Sequence, residues 1–305
     1  MIRNTLYMCV AAVGLSVLAS CSTQDDPIMP DIPPVEEPEQ PERVPMNIST
    51  RAEGGVMNSQ IEMGLYVQHY TNGSKEDLNA TGNYINNVRL SNNNGNWTAS
   101  NPLYWYDNSS PTDIYAYAPY QANVADCRNM EISLPTDQSD IDQLAAADLL
   151  WGCHLAQMPS SGDFSVSLNH RLTRVNVKVK PAQGMNAADL KAEDMRLFIN
   201  NVRCEAYMDL QTSDLTLKGT PTSICAHNNG DLTFTAIVLP QSVGFVNLIR
   251  LEWNGISYVL QHSTAFEAQR NYDFTITFNP QGTSGLNVGI SGWDIDDTDY
   301  GGVVG

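Results

Sequence analysis

Six aromatic side chains between residues 104 and 120 are the residues in this sequence best suited to binding a ligand. Flat rings stack on the apolar faces of sugars, so this concentration could line a carbohydrate-binding surface. Packing in a β-sheet core is the alternative, because aromatic residues are also common in buried strands. The first three are the candidate ligand residues, and the full set is Tyr104, Trp105, Tyr106, Tyr115, Tyr117 and Tyr120.

The histidines and acidic residues have no spacing that is typical of an enzyme or a metal site. The five histidines form no HxxxH or HExxH pair, and the sequence contains no GxSxG, Walker or dinucleotide-binding motif. His170 is therefore predicted to be a structural strand residue. Four aspartates between Asp294 and Asp299 resemble a calcium loop, but no glutamate follows at EF-hand distance. We expect no catalysis, no metal and no cofactor.

The N-terminus has the pattern of an exported bacterial lipoprotein. A short basic start precedes a mostly apolar run from Leu6 to Leu18, which is too short to span a bilayer comfortably. Leu18-Ala19-Ser20-Cys21 then resembles the lipobox, in which the cysteine is acylated before cleavage. The pattern predicts a signal peptide over residues 1–20 and a palmitate-type lipid on Cys21, which would anchor the protein to the outer membrane and expose it on the cell surface.

The charge balance restricts the partners of the protein. The chain has 305 residues, with 16 Lys and Arg against 34 Asp and Glu, and its net charge is -18. This composition argues against non-specific binding to nucleic acid or to anionic lipid surfaces, which requires clustered basic residues. Part of the acidity lies in residues 21–46, where prolines alternate with Asp and Glu. Such a segment is predicted to be an extended tether between the lipid and the folded region.

Four cysteines lie in the predicted folded region, namely Cys127, Cys153, Cys204 and Cys225. An even number in an exported protein is compatible with disulfides, and three pairings are open. No CxxC spacing occurs, which argues against a zinc site. Free buried thiols remain the alternative.

Beyond residue 46 the hydrophobic pattern has the two-residue period of β-strands. Val175, Val177 and Val179 alternate with polar residues, and similar alternation occurs over 164–168, 232–238 and 272–278. Asn254-Gly255 separates two apolar runs and predicts a tight hairpin, as do the Asn- and Gly-rich turns over 92–95 and 228–231. Short helices are predicted only over 140–147 and 187–191. We therefore predict an all-β protein with two tandem antiparallel β-sandwiches of transthyretin-like type, over residues 47–181 and 182–305.

Several blocks of this sequence, in their order and spacing, resemble the fimbrillin (type V pilin, Mfa-like) family. The resemblance covers nearly all of residues 47–300 and is less diagnostic in the second predicted domain. The blocks that carry it are Thr50–Ala52, Ile61–Val67, Asn86–Val88, Trp97 with Asn101–Trp105, Asp113–Tyr120, Ala147–Trp151, Val166–Val175 and Ile290–Trp293.

The resemblance implies a subunit of a surface fimbria or a related adhesin, with other fimbrial subunits as partners and a host protein or glycan as receptor. Family members are exported as lipoproteins and trimmed by an arginine-specific protease. Loss of the N-terminal strand then opens a hydrophobic groove, which a strand from a neighbouring subunit fills. The candidate cleavage sites are Arg51, which matches the family position better, and Arg43. An Arg51 that is never cut is the alternative.

The C-terminal tail departs from what a strand donor needs. Residues 294–305 are acidic and sparsely apolar, whereas a donor strand presents alternating apolar side chains. This difference favours a tip or accessory position over a repeating stalk position. A stand-alone carbohydrate-binding lipoprotein at the cell surface is the alternative function.

Overall fold

The computed structural model describes residues 43–52, 61–93, 96–278 and 286–293, without the side chains of residues 50–52, 93, 96, 187 and 286–292. The described chain consists almost entirely of β-strands, with one short α-helix and two 3-10 turns. The prediction of an all-β protein with antiparallel sheets is confirmed. None of the helices in the described ranges has the length and apolar content needed to cross a bilayer.

The elements follow one another in chain order and are numbered here as they occur. The first nine strands and the α-helix are β1 (Asn47–Ala52), β2 (Glu62–His69), β3 (Ile85–Asn93), β4 (Asn96–Ala99), β5 (Thr112–Ala118), β6 (Met130–Ser133), α1 (Ile141–Ala146), β7 (Leu150–Gln157), β8 (Asp163–His170) and β9 (Thr173–Pro181). After 3-10 turns at Ala187–Asp189 and Ala192–Asp194 come β10 (Met195–Val202), β11 (Glu205–Met208), β12 (Leu215–Lys218), β13 (Thr222–Cys225), β14 (His227–Asn228), β15 (Thr233–Val238), β16 (Gln241–Trp253), β17 (Ile256–Phe266), β18 (Arg270–Phe278) and β19 (Leu286–Gly292).

The N-terminal strands close into a barrel in the order β1-β4-β3-β2-β5-β7-β8. Strand β1 completes the closure because it lies between β4 and β8. Its pairing with β8 is parallel, whereas the other pairs in the barrel are antiparallel. A parallel pair between the first strand and the last strand of a barrel is a long-range contact that local sequence patterns do not reveal.

Strands β2 and β5 are buried on both faces, unlike the half-exposed strands that the alternating patterns predict. In β5 the inward residues Ile114 and Ala116 belong to the barrel core. The outward residues Tyr115 and Tyr117 belong to a second core, which they share with residues of the C-terminal sheets. Strand β5 therefore forms the wall between the two cores, and its two tyrosines are packing residues.

The C-terminal sheets are built around a long hairpin and a mixed five-stranded sheet. One sheet has the order β13-β10-β16-β17, a second has β14-β15-β9-β18-β19, and a small third sheet joins β6 to β11 and β12. The alternation over Val175–Val179 is confirmed, because these valines are buried while Lys178 is exposed. Strand β9 pairs with the later strands β15 and β18. The domain boundary between residues 181 and 182 stays a prediction.

The predicted turn at Asn254-Gly255 is confirmed. It joins β16 to β17 with Trp253 opposite Ile256, and both turn residues have positive φ, 50° and 75°. These dihedrals are those of a type I′ turn, for which Asn-Gly is the preferred pair. The turn over 228–231 also joins paired strands, β14 and β15. In the turn over 92–95, Asn94 and Gly95 lie outside the described residues.

The predicted helix over 140–147 is confirmed as α1. Asp140 caps it, because its carboxylate accepts a hydrogen bond from the backbone N–H of Asp142 at 2.8 Å. The segment predicted as a helix over 187–191 forms a 3-10 turn instead. A run this short cannot offset the cost of nucleating an α-helix.

Candidate functional site

Strand β1 is held along its whole length by β8. Six consecutive residues, from Asn47 to Ala52, pair in register with Asp163 to Leu168. On its other side, within the described residues, β1 is paired with β4 at one position, Ser49 opposite Asn96. The two sides of β1 therefore differ in how firmly the backbone is held.

A second attachment lies just before β1. The backbone N–H of Met46 donates to the carbonyl of Leu103 at 2.8 Å, and that of Trp105 donates to the carbonyl of Val44 at 2.9 Å. Pro45 lies between these bonds and forms a bridge with Tyr104. The loop that leads into β5 thus fixes the chain at the entrance to β1.

The inward side chains of this segment plug the barrel. Met46 and Ile48 are 4% and 7% exposed and belong to the barrel core, whereas Asn47 between them is exposed. Burying a side chain of this size contributes roughly 1.5–3 kcal/mol to folding. The core against which they are packed consists of Met63, Leu65, Val67, Ile85, Leu90, Trp97, Trp105, Ile114, Ala116, Ala118, Leu150, Phe164, Val166 and Leu168.

A groove of about 570 Å³ runs between the N-terminal part of β1 and the segment that follows β4. Its walls combine apolar side chains, such as Trp97 and Leu103, with the polar residues Thr98, Ser100 and Asn101 at the rim. The groove lies between the two attachments of this segment, the Ser49–Asn96 pair and the bonds to Leu103 and Trp105. It marks the stretch where β1 and β4 separate.

The segment Val44–Arg51, called the plug below, has the two candidate cleavage sites at its opposite ends. Arg43 is exposed before β1, and its guanidinium carbon lies 6.0 Å from the centre of the Tyr104 ring. Arg51 is the fifth residue of β1 and is paired with Ser167 of β8. Cys21, the predicted lipid attachment site, lies outside the described residues.

The structure separates the three candidate ligand aromatics. Trp105 is 2% exposed, and its indole N–H donates to the carbonyl of Ser160 at 2.9 Å, so it is a core residue. Tyr104 is half-buried beside Arg43. Tyr106 is 50% exposed and is the one of the three that offers its ring to solvent.

Two residues that the sequence analysis did not select accompany Tyr106. The ring of His69 is stacked on the Tyr106 ring with centroids 3.8 Å apart, and Tyr84 meets Tyr106 edge to face at 5.3 Å. The Tyr84 hydroxyl donates to the carbonyl of Tyr104 at 2.9 Å. Burial raises the pKa of Tyr84, although nearby Arg43 lowers it in part. His69 is 37 positions before Tyr106 in the chain, so no local motif could have joined them.

A buried carboxylate was also not predicted. Asp113 in β5 is fully buried and accepts hydrogen bonds from the Tyr70 hydroxyl and from the backbone N–H of Ala156, both at 2.9 Å. The ammonium group of Lys75 lies 2.7 Å from it. Burial acts to raise the pKa of Asp113, but these partners outweigh it and hold the pKa below its usual value. The cluster connects the segment after β2 to β5 and β7.

His170 and the four cysteines have structural surroundings. The His170 ring is stacked on Trp293 at 4.1 Å, and its Nδ1 lies 2.8 Å from the carboxylate of Asp148. The cysteines of the described chain are free, and none forms a disulfide. Burial raises the pKa of the thiols, to about 11 for Cys204, which keeps them in the unreactive thiol form. Within the described ranges, no three His, Cys, Asp or Glu side chains are grouped as a metal site.

Comparison with known proteins identifies the family. A family model described as fimbrillin-like matches residues 50–293, which include the second half of β1, the rest of the barrel and the C-terminal sheets. The chain belongs to the fimbrillin-like family. The predicted resemblance is therefore confirmed. None of the curated proteins matches the chain.

Solved structures share the fold of this fimbrillin-like chain. A proposed cell adhesion protein from Bacteroides uniformis superposes with a TM-score of 0.65 at 22% identity, covering 82% of this chain and 99% of that one. Another, from Bacteroides ovatus, gives 0.67 at 17% identity and covers 84% and 100%. The tip fimbrial protein Mfa3 from Porphyromonas gingivalis, with a C-terminal truncation, gives 0.50 at 10% identity and covers 81% and 99%. At these identities the likeness shows a common fold.

Proposed function

We propose that this protein is a surface fimbrial subunit or adhesin in which β1 can be replaced by a strand of a neighbouring subunit. The observation that carries this proposal is the place of β1, which closes the barrel and has Arg51 near its C-terminal end. A cut after Arg51 would leave the plug attached by non-covalent contacts alone. The role is structural and requires no catalysis.

The two arginines would have different consequences if cut. A cut after Arg43 leaves β1 covalently joined to the barrel, so the slot stays filled. A cut after Arg51 separates Val44–Arg51 from the barrel, including both buried side chains of the plug. Exchange of strands therefore requires cleavage at Arg51. Because Arg51 is paired with Ser167, the end of β1 must first fray to enter a protease.

The vacated slot would suit an extended strand. The edge of β8 offers backbone partners along six residues, and among the described side chains Met46 and Ile48 mark two positions for apolar groups in the barrel core. These positions are two residues apart, which is the spacing of side chains on one face of a strand. Backbone hydrogen bonds would supply affinity, and the two side chains would set the register.

Cleavage by an arginine-specific protease tests this proposal. We expect the native protein to give a new N-terminus at Ala52, detected by mass spectrometry, and the cut protein to exchange its β1 fragment for an added synthetic strand. Arg51→Gln should abolish both the cut and the exchange, whereas the matched control Arg43→Gln should leave both unchanged. A protein that is cut at Arg51 but never releases its fragment would contradict strand replacement.

We further propose that Cys21 carries the lipid that holds the protein at the outer membrane, with residues 21–46 as its tether to the surface-exposed barrel. Cys21→Ser should abolish incorporation of labelled palmitate and release the protein from the membrane fraction. Ser22→Ala is the matched control and should change neither. Retention of Cys21→Ser on the membrane with full labelling would contradict the lipid assignment.

We also propose a tip or accessory position, which is supported by the acidic and sparsely apolar composition of residues 294–305. The chain up to Trp293 is docked in its own sheet, because β19 pairs with β18 and Trp293 is buried. The acidic residues beyond it are poorly suited to filling an apolar slot. Removing residues 294–305 should therefore leave fibre formation intact, and loss of fibres on this deletion would contradict the proposed position.

Carbohydrate binding is a second candidate function because Tyr106 has an exposed ring beside His69 and Tyr84. Binding to a glycan panel, followed by intrinsic fluorescence, tests it. A glycan that binds the parent should bind Tyr106→Ala at least about ten-fold more weakly, since stacking on the ring would be lost. Asn108→Ala, at an exposed position in the same loop, is the control. Unchanged binding by Tyr106→Ala would exclude this surface.

A further inference from the structure

The side of β1 that faces β4 suggests how strand replacement begins. Thr98 and Ala99 are paired with β3 through Ser91 and Leu90. Neither has a partner on β1 in the described ranges, although continuing the Ser49–Asn96 register would place them opposite Asn47 and Met46. The 570 Å³ groove occupies this gap. Beside β1 there is therefore a stretch of strand edge with space next to it.

We propose that this groove is the first docking site for the incoming strand of a neighbouring subunit, which enters while β1 is still in place. The inference rests on the proposed replacement of β1 and specifies where it starts. The occupant is an extended segment with an apolar side chain, because the groove is continuous with the slot of β1 and has Trp97 and Leu103 in its walls.

Docking beside β1 avoids an open barrel. If β1 left first, the core around Met46 and Ile48 would be exposed to water before any new strand covered it. Exposing such apolar side chains to water is unfavourable, so an open slot would be sparsely populated. A strand that first pairs along Thr98 and Ala99 gains backbone partners in advance. It then has to break the Ser49–Asn96 pair to advance toward β8.

Two other borders of the plug, as far as the described residues show them, offer no equivalent entry. The β8 side is paired at six consecutive positions. Ahead of β1, the bonds of Met46 to Leu103 and of Trp105 to Val44 close the barrel again. The groove lies between this closure and the Ser49–Asn96 pair, and it combines free strand edge with apolar walls.

The order of events can be measured with the full mature chain cut at Arg51 and carrying a fluorescent label on its β1 fragment. The probe is an unlabelled peptide with the sequence of residues 44–52. If the peptide docks first, the release rate of the labelled fragment should rise with peptide concentration. If β1 leaves first, the release rate should be independent of that concentration.

Two tryptophan substitutions, one inside the groove and one outside it, test whether the incoming peptide needs this space. Ala99→Trp should slow the concentration-dependent release at least about ten-fold. Asn108→Trp adds the same ring at an exposed site outside the groove and should behave like the parent. If Ala99→Trp does not fold, Ser100→Trp at the exposed rim serves the same purpose.

The outcomes distinguish this inference from the proposal on which it rests. Release that depends on peptide concentration in the parent and in Asn108→Trp, and that is at least about ten-fold slower in the filled variant, supports the groove as entry site. Release at a rate independent of peptide, or equal rates in Ala99→Trp and the parent, overturns the entry site and leaves strand replacement standing. Absence of any exchange overturns strand replacement and the entry site with it.

Discussion

The first and last described strands, β1 and β19, are held by the molecule in different ways. Strand β1 lies between two neighbours and is parallel to β8, with two apolar side chains of its segment in the barrel core. Among the described residues, strand β19 is the outer strand of its sheet, with seven antiparallel pairs to β18. A strand between two neighbours leaves a slot when it is lost, whereas an outer strand leaves a single edge.

This difference assigns different roles to the two ends of the folded region. Under the proposed strand replacement, the slot of β1 would fix the register of an incoming strand, because β8 pairs along it and the barrel core receives its inward side chains. At the other end, Trp293 is 5% exposed, is stacked on His170, and donates its backbone N–H to Gln269 at 2.9 Å. The end of the last described strand is therefore anchored. Under the proposed strand replacement, β1 is the strand that is exchanged and β19 is retained.

The largest expected effect concerns the anchor of the last strand. Trp293→Ala removes a buried ring that is stacked on His170, and truncations of this kind cost about 3–5 kcal/mol. The free energy of unfolding in urea measures it. Trp293→Phe retains an aromatic ring and should lose clearly less. A loss below about 1 kcal/mol for the alanine variant would mean that β19 is not anchored at this end.

The next effect concerns the plug itself. Ile48→Ala should reduce the free energy of unfolding of the uncut protein by about 2–4 kcal/mol, because it leaves a cavity under β1. Asn47→Ala, at the exposed position beside it, should stay within about 0.5 kcal/mol of the parent. Equal effects at the two positions would show that β1 is not held by its inward face, and the contrast with β19 would fail.

The sequence predicts the strands well where one face is buried and the other is exposed. Residues 174–179 show this, and the Asn254-Gly255 hairpin follows from local turn chemistry. Local patterns cannot reveal that β5 has two buried faces, because burial of Tyr115 and Tyr117 depends on sheets formed by later residues. They cannot identify the parallel partner of β1 either, since Asn47 and Asp163 are 116 positions apart in the chain.

The sequence also predicts only part of the candidate site, because the rest of it depends on contacts between distant residues. The resemblance to the family points to Arg51, and β1 is the strand that contains it. The three consecutive aromatic residues Tyr104–Tyr106 are half-buried, buried and exposed, in that order. Tertiary packing decides which ring faces the core, and the local sequence does not show it. The groove beside β1 depends on where two strands separate, and no pattern in either strand encodes that point.

We expect the free energy of unfolding to fall in acid, because Asp113 lies in the barrel that β1 completes. The pKa of Asp113 is held below its ordinary value of 3.8, so the carboxylate stabilises the fold at neutral pH. This contribution is complete above pH 3.8 and is lost as the pH falls through the lower folded-state value. Asp113→Asn should cost about 1–2 kcal/mol at neutral pH, because hydrogen bonds to charged groups are the stronger ones.

The measurement is the free energy of unfolding as a function of pH. In acid, the difference between Asp113→Asn and the parent should shrink, and the variant should have the flatter profile. Asp163→Asn, at an exposed position in β8, is the control and should follow the parent. A difference that stays constant from neutral pH to pH 2 would show that the charge of Asp113 contributes nothing to the barrel.

The smallest expected effect separates backbone from side-chain contributions in β1. The Ser49 hydroxyl donates to the carbonyl of Phe164 at 3.4 Å, a long contact in a partly exposed position. Ser49→Ala should therefore change the free energy of unfolding by less than about 0.5 kcal/mol, far less than Ile48→Ala. The same substitution in the peptide of residues 44–52 should leave its affinity for the cut protein within about two-fold of the parent peptide. A much larger loss would mean that β1 is recognised by its side-chain hydrogen bond, and a replacement strand would then need a hydroxyl at this position rather than apolar residues at its neighbours.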